Sequence, residues 1–224
     1  MHCSLSFYCG YKSILLPEIC PKFDNIETKY TNMAVLETCI NALDILKEDA
    51  EVFLSEFTKV HLKKNDVFVE RGKVCDKIGV VEKGLMKVVF DKNGQEVVFG
   101  FAFENNFVSD YYSFITKGVS DKAIICIEDT ELYVITKQRL WEIAREHAFL
   151  SGMSRKVNEQ LFLKMHDRLK SLLLDSPAQR YQQMIEDSQG LVNKVPQYLI
   201  ASYLNVQPET ISRIRKKISS GSLS

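Results

Sequence analysis

The sequence lacks an apolar run long enough to cross a bilayer, which takes about 20 consecutive apolar residues. Its first residues, M-H-C-S-L-S-F-Y-C-G, also lack the basic start and the long apolar stretch of a secretory signal peptide. We therefore expect a cytoplasmic protein that does not interact with a membrane.

The residue types that form common catalytic and metal sites are present, but their spacing does not fit such sites. The six cysteines form no C-x-x-C pair, and the four histidines have no cysteine or aspartate at metal-ligand spacing. The sequence also has no G-x-G-x-x-G loop that could hold a phosphate group. We therefore expect no catalytic residues, no bound metal and no cofactor that the sequence identifies, so the protein is not expected to be an enzyme.

The first 32 residues differ from the rest of the chain because they show no regular apolar period. Met33 instead begins an amphipathic helical pattern that includes Val35, Leu36 and Ile40. We interpret residues 1–32 as a non-native extension or a disordered arm. The alternative is a redox- or metal-sensing role for the cysteines of this region, although no ferredoxin-like ligand pattern matches the spacing of Cys3, Cys9, Cys20 and Cys39.

From about Phe57 to Thr136 the apolar residues recur with a period of two, in short runs. Turn signals separate these runs, and Asn93-Gly94 is a strong hairpin signal between two of them. Several short strands at such close spacing predict a jelly roll or a small barrel.

A long helical pattern follows the strands, with an apolar residue every three or four positions from Phe149 to Leu172. Such a stripe can pack on its own domain or on a second copy of the chain. Its length and its place between two other domains favour a second copy. The sequence therefore predicts a homodimer with a seam formed by Met153, Val157, Leu161 and Met165.

The most informative segment is V-P-Q-Y-L-I-A-S-Y-L-N-V-Q-P-E-T-I-S-R-I-R-K-K-I, which begins at Val195. It contains two short helical patterns, and each has a proline near its first turn, where the missing N–H group costs no hydrogen bond. Asn205 lies in the break between the patterns, where we expect a positive φ. Two helices joined by such a turn predict a helix-turn-helix motif.

The basic residues are concentrated at this end of the chain, although the whole chain is neutral, with 29 basic and 29 acidic residues. Between Gly190 and Ser224, five basic residues accompany a single acidic residue, Glu209. A basic end on a neutral chain is typical of polyanion binding, and the alternative is a charged helix that is merely solvated. Together with the helix-turn-helix pattern, the charge favours double-stranded DNA as the partner.

The order of these parts resembles the cyclic-AMP receptor/fumarate-nitrate regulator (CRP/FNR) family of bacterial transcription factors. The segment I-A-S-Y-L-N-V-Q-P-E-T-I-S-R-I-R-K-K carries the most specific likeness. The resemblance implies an α+β fold with an N-terminal β-roll (a double-stranded β-helix or jelly roll), a long dimerisation helix and a C-terminal winged helix-turn-helix. The implied domains are a sensor domain at 33–146, the dimerisation helix at 147–174 and a DNA-binding domain at 175–224.

The resemblance also implies a function, that of a cytoplasmic bacterial homodimer which binds a near-palindromic operator and has RNA polymerase as a further partner. The exposed recognition-helix residues of the family match Glu209, Thr210 and Arg213. Arg213 could contact a guanine edge, and Glu209 could accept from a cytosine amino group. The other candidates for DNA contacts, mainly to phosphates, are Gln197, Ser202, Ser212, Lys216 and Lys217.

The effector pocket departs from the family pattern, in which a Gly-Glu pair holds a ribose hydroxyl and an Arg-Ser or Arg-Ala pair holds a cyclic phosphate. Lys122 lies near the family's arginine position, and a lysine cannot reproduce the bidentate contact of an arginine with phosphate. Asp110 lies near the Gly-Glu position, and Asp110 and Lys122 could simply pair with each other at the surface. We therefore expect a small-molecule effector other than cyclic AMP. The alternative function for the whole protein is a cyclic-nucleotide-binding regulator that does not bind DNA. The residues near the family's pocket positions are Ser109, Asp110, Tyr111, Lys122 and Ala123.

Overall fold

The computed structural model describes residues 33–188 and 190–220. The predicted arm at residues 1–32, with Cys3, Cys9 and Cys20, lies outside the described residues. The cysteine-sensing alternative therefore rests on sequence alone for these three residues.

Two helices precede the strands. The amphipathic pattern that begins at Met33 forms α1 (Met33–Leu43), and α2 (Lys47–Ser55) follows it. Both helices bury their apolar sides in one core cluster, to which Val35, Cys39 and Phe53 contribute with no exposed surface.

Eight strands and one short helix are described between residues 58 and 136. They are β1 (Thr58–Leu62), β2 (Val67–Val69), β3 (Lys77–Lys83), β4 (Leu85–Lys92), β5 (Gln95–Phe103), β6 (Phe107–Val108), α3 (Tyr111–Thr116), β7 (Lys122–Cys126) and β8 (Thr130–Thr136). The strands form two four-stranded sheets, with the orders β1-β8-β3-β6 and β2-β7-β4-β5. Apolar side chains from both sheets fill the space between them, so the predicted β-roll is confirmed.

The β4–β5 hairpin closes at Asn93-Gly94, as the sequence predicts. Lys92 pairs with Gln95, which leaves a two-residue loop. Asn93 has φ 56° and Gly94 has φ 83°, and two positive φ values are what a type I′ turn requires.

An extra residue in β5 changes which of its side chains share a face. Two consecutive residues of β4 pair with Val98 and Gly100, so Phe99 forms a β-bulge between them. Since side chains alternate along a strand, the bulge shifts the alternation by one residue. Val98 and Phe101 therefore lie on the outer face of the sheet, whereas Ala102 faces the interior of the roll.

The predicted long helix is present. Thr136 caps α4 (Lys137–Glu146), which leads into α5 (Phe149–Leu174), a helix of 26 residues. The C-cap of α5 is Asp175, directly after the last residue of the helix.

The structure corrects the predicted register of the dimer seam on α5. Met153, Val157 and Leu161 are only 6%, 3% and 6% exposed, because they pack in the same core cluster as α1 and α2. Own-domain packing, the alternative for this stripe, therefore accounts for these three residues. Met165, at 41% exposure, is the member of the predicted seam that stays accessible.

Four helices follow α5 in the described residues. They are α6 (Pro177–Asp187), α7 (Leu191–Lys194), α8 (Gln197–Tyr203) and α9 (Pro208–Ser219). Asn205 lies between α8 and α9 with φ 54°, which confirms the expected positive φ. The pair α8–α9 is the predicted helix-turn-helix.

The wing that the resemblance implied is not found, because residues 175–188 and 190–220 contain helices and their connections but no strand. Leu191 and Val192 are buried as part of α7, in the apolar cluster of the helix-turn-helix. The apolar stripe of Ile211, Ile214 and Ile218 extends α9 to Ser219. The residues just before the motif and the C-terminal part of α9 are therefore both helical.

Candidate nucleic-acid interface and effector site

The outer side of α9 presents the residues predicted to read DNA. Ile211 and Ile214 are 0% and 6% exposed and anchor the helix in its domain. Glu209 and Arg213 lie on the opposite, exposed side. Within the described part of the chain, Arg213 makes no hydrogen bond or ion pair, so its guanidinium can contact a base edge without first leaving a partner.

Lys216 and Lys217 are exposed in the last turns of α9, whereas Thr210 is half-buried. Arg215, which also belongs to the basic end, has a different role. Its Nε donates to the hydroxyl of Tyr181 at 2.8 Å, and its terminal amine donates to the carbonyl of Val192 at 3.1 Å. Arg215 therefore fixes α9 to α6 and α7, a role that the charge pattern alone could not distinguish from DNA binding.

Two of the predicted phosphate contacts also hold the motif together. The amide nitrogen of Gln197 donates to Ser212 Oγ at 2.6 Å and to the carbonyl of Pro208 at 2.8 Å. These bonds join the first turn of α8 to the beginning of α9. Because Ser212 is exposed, it remains accessible to a phosphate, whereas Gln197 is part of the internal support.

Ser202, the remaining predicted phosphate contact, lies against the sensor domain. Its Oγ accepts a hydrogen bond from the backbone N–H of Val98 on β5 at 3.0 Å. The next residue, Tyr203, has its ring 5.6 Å from the ring of Phe101. The local sequence around Ser202 could not indicate its hydrogen bond to Val98, because the two residues are 104 positions apart.

The structure brings Asp110 and Lys122 of the predicted effector pocket together as a buried ion pair. Lys122 Nζ lies 2.8 Å from Asp110 Oδ1, and the two side chains are 10% and 1% exposed. Ser120 Oγ donates to the other carboxylate oxygen at 2.5 Å. The alternative that the two residues pair is therefore confirmed, but the expected place of the pair is wrong, because it is buried and not on the surface.

Three aromatic rings complete the surroundings of the Lys122 ammonium. The ring centroids of Phe90, Phe99 and Tyr112 lie 5.2, 5.7 and 6.0 Å from Nζ, and Asp121 Oδ1 lies 3.1 Å from it. We call these aromatic residues, with Asp110 and Lys122, the cation cage. Rings and carboxylates favour a cation at this point, so the cage is chemically unsuited to a phosphate anion.

The other residues of the predicted pocket point elsewhere. Ser109 Oγ donates to the carbonyl of Lys77 at 2.9 Å, and the buried Tyr111 donates from its hydroxyl to Asn158 Oδ1 on α5 at 2.9 Å. Ala123 packs on the outer side of β7, against the cluster that contains the helix-turn-helix. The structure therefore divides the five predicted residues among the cation cage, the core and the outer face of the sheet.

Two cavities of the described chain are lined by residues that do not belong to the cation cage. One, of about 260 Å³, is lined by residues between Val67 and Lys77. The other, of about 470 Å³, lies between the α1–α2 turn and the start of α5. Neither is lined by Asp110 or Lys122.

The described residues contain no group of three histidine, cysteine or acidic side chains that could hold a metal ion. Cys39, Cys75 and Cys126 are 0%, 3% and 1% exposed, and burial raises the pKa of the Cys126 thiol. A thiol that stays protonated is a poor nucleophile and a poor metal ligand.

In residues 33–188 and 190–220, no helix is both long and apolar enough to span a membrane.

The β-roll resembles a known protein family. Residues 59–147, which contain the whole β-roll except the first residue of β1, match the family of cyclic nucleotide-binding domains. No curated protein sequence matches the chain.

Solved structures extend the likeness beyond the β-roll. A transcriptional regulator of the crp/fnr family from Eubacterium rectale is 16% identical, with a TM-score of 0.58 over 80% of this chain and 86% of that one. A mutant of CooA from Carboxydothermus hydrogenoformans is 17% identical, with a TM-score of 0.59 over 75% of this chain and 79% of that one. The c-di-GMP responsive regulator CLP from Xanthomonas campestris is 17% identical, with a TM-score of 0.57 over 77% and 91%.

Residues 59–147 therefore match a cyclic nucleotide-binding domain, and the chain has the fold of solved structures that include a CRP/FNR regulator. Likeness at these identities establishes the fold, so the resemblance and the fold class expected from the sequence are confirmed except for the wing, since residues 175–188 and 190–220 contain no strand.

The buried ion pair of the cation cage should make a measurable contribution to stability. Lys122→Met leaves the Asp110 carboxylate buried without its cation, and we expect a loss of about 3–5 kcal/mol in the free energy of unfolding. Asp110→Ala combined with Lys122→Met removes both charges and should cost less than the single substitution. Urea unfolding of the three proteins measures these differences. A cost below about 1 kcal/mol for Lys122→Met would show that water reaches the pair in solution.

Proposed function

We propose that the protein is a homodimeric, sequence-specific DNA-binding transcription regulator of the CRP/FNR type, in which the β-roll is the sensor. The observation that carries this proposal is the exposed Arg213, with Lys216 and Lys217, on the second helix of a helix-turn-helix. In such motifs the second helix enters the major groove, while the first crosses the DNA backbone. A bacterial cytoplasm, with RNA polymerase as a further partner, is the setting that this role requires.

We assign different roles to the polar residues of α9. Arg213 reads a guanine, because a guanidinium can bond to O6 and N7 together, and Glu209 accepts from a cytosine amino group. Thr210 adds a contact near the start of the helix. Lys216, Lys217 and Ser212 bind phosphates, which set the orientation of the helix but carry no sequence information.

Exposed apolar residues of α5 support a dimer seam in a corrected register. Phe162, Met165, Leu169 and Leu172 are 67%, 41%, 58% and 39% exposed. Their spacing of three, four and three residues is that of positions a and d in a coiled coil. A second copy of the chain presents the same stripe, so a two-fold symmetric pair buries both stripes at once.

The ligand of the sensor is an effector other than cyclic AMP. A cyclic phosphate needs a planar fork or several N–H donors when it leaves water. Lys122 is already paired with Asp110, and this carboxylate would repel the phosphate. CLP, which shares this fold, is a c-di-GMP responsive regulator, so the fold is compatible with an effector other than cyclic AMP.

The alternative is a cyclic-nucleotide-binding regulator that does not bind DNA. One observation favours it, since the family match covers residues 59–147 and not the helix-turn-helix. Failure of the full chain to bind any genomic DNA fragment at low salt would favour this alternative.

Replacement of Arg213 tests the assignment of the recognition helix. Arg213→Ala should weaken specific binding by about 1–3 kcal/mol and relax the preference at one base position of each half-site. Lys216→Ala is the matched control, because loss of a phosphate contact should weaken all sequences about equally and reduce the salt dependence. Selection from a random DNA pool measures both effects. Unchanged base preference in Arg213→Ala would show that another residue reads the sequence.

A pair of substitutions on α5 tests the corrected seam. Leu169→Glu places a charge on the exposed stripe, so it should yield a folded monomer with weakened operator binding. Leu161→Glu places the same charge in the core of its own chain and should destabilise the protein itself, because an unpaired buried charge is costly. Sedimentation and thermal unfolding separate these results. A fully dimeric Leu169→Glu protein would exclude this seam.

Calorimetry with cyclic AMP and cyclic GMP tests the effector assignment. We expect a dissociation constant above about 0.1 mM for both, because the charged hydrogen bonds to the phosphate are missing and each is worth about 1.5–3 kcal/mol. Micromolar affinity for either nucleotide would show that the Asp110–Lys122 pair opens to bind an anion.

A further inference from the structure

The outer face of the sheet β2-β7-β4-β5 packs directly against the DNA-binding helices. Val89 and Val98 on this face are 4% and 3% exposed, and they share one apolar cluster with Leu199 and Ile200 of α8. Phe101 and Phe103 are packed against the same cluster. The contact thus joins the sensor domain and the helix-turn-helix through a continuous apolar surface.

Polar contacts fix the position of α8 on β5. The Val98 N–H donates to Ser202 Oγ at 3.0 Å, and Lys194 Nζ lies 3.1 Å from Glu104 Oε1. Burial alone would raise the pKa of Glu104, but backbone hydrogen bonds and the Lys194 ammonium outweigh burial and hold this pKa below its ordinary value. The carboxylate therefore stays ionised at neutral pH and keeps its partner.

Tyr203, at the end of α8, connects the sensor to the long helix. Its ring lies 5.6 Å from the Phe101 ring and 4.0 Å from the guanidinium carbon of Arg168 on α5. Arg168 also donates to the Tyr203 carbonyl at 3.1 Å. The position of α8 therefore depends on both β5 and α5.

We propose that Val98, Phe101 and Glu104 of the sensor form an intramolecular latch with Lys194, Ser202 and Tyr203, and that this latch inhibits DNA binding. The proposal rests on the function proposed above. The first helix of a helix-turn-helix lies across the DNA backbone. While β5 packs on α8, Ser202 lies against the Val98 N–H instead of facing a phosphate, and Glu104 neutralises the ammonium of Lys194. Tight DNA binding therefore requires the latch to open.

The bulge at Phe99 places the latch next to the cation cage. The Phe99 ring faces the Lys122 ammonium on the inner side of the sheet, while Val98 holds α8 on the outer side. Likewise, Lys122 belongs to the cage and Ala123 to the outer cluster. A ligand that displaces Lys122 moves the strand positions that carry the latch, so the cation cage and the latch are coupled through the same strands, β5 and β7.

The latch can be weakened from the sensor side, at a residue that has no part in the proposed DNA contacts. Phe101→Ala removes the ring that meets Tyr203, and Val97→Ala is the matched control, since Val97 is a 37% exposed neighbour on β5. Amide hydrogen exchange of Val98 reports the state of the latch. Binding to a random-sequence duplex of about 30 base pairs, long enough for two half-sites, reports inhibition.

We expect Phe101→Ala to exchange the Val98 amide faster and to bind the duplex more tightly, each by about five-fold or more, which corresponds to about 1 kcal/mol. Val97→Ala should match the unaltered protein in both measurements. Glu104→Gln is a second variant, at the surface of the latch. It should also speed Val98 exchange and tighten duplex binding, each by at most about five-fold.

The possible outcomes separate the two claims. Unchanged Val98 exchange in Phe101→Ala overturns the latch itself. Faster exchange without tighter DNA binding, in a protein that does bind the duplex, overturns the inhibition. If neither protein binds DNA, the proposed function fails and the inhibition fails with it, whereas the exchange rate still decides whether the contact exists.

Discussion

The strand β5 is the constraint on which the arrangement of the protein depends, because its two sides serve different domains. The inner side carries Phe99 against the Lys122 ammonium, and the outer side carries Val98 and Phe101 against α8. The bulge makes this possible, since a regular strand would not direct both Val98 and Phe101 outward. In the function we propose, a sheet that contacts both the cation cage and the helix-turn-helix can transmit a conformational change directly from one to the other.

The helix α5 also combines two structural roles. One face of its N-terminal half is buried with α1 and α2, while Phe162, Leu169 and Leu172 of its C-terminal half are exposed. The single helix therefore belongs to the sensor core and, in the function we propose, to the dimer seam. Arg168 lies in the second half and touches Tyr203, so movement of the seam also reaches the helix-turn-helix.

Features of the fold that depend on local chemistry could be predicted from the sequence. Asn93-Gly94 indicated the hairpin because few residue pairs accept two positive φ values. Asn205 indicated the turn between α8 and α9 because asparagine accepts a positive φ more readily than most residues. The exposed side of α9 followed from the spacing of its isoleucines. Periodicity alone also revealed the length of α5.

Features that depend on distant contacts could not be predicted. Nothing local shows that Met153, Val157 and Leu161 meet α1 and α2, so the sequence pattern includes these three buried residues in the predicted seam beside the exposed Met165. Ser202 has the residue type of a phosphate contact, but its bond to Val98 joins positions 104 residues apart. Asp110 and Lys122 could be paired from sequence, but their burial depends on Phe90 and Phe99 from another hairpin.

Nuclease footprinting of the purified protein on its genomic DNA tests the central claim, that this chain reads DNA as a two-fold symmetric dimer, most directly. The account predicts protected sites with two half-sites whose centres are about 10 base pairs, or one helical turn, apart and related by a near-palindrome. Absence of protection at any site under low-salt conditions, or protection of isolated single half-sites, would contradict it.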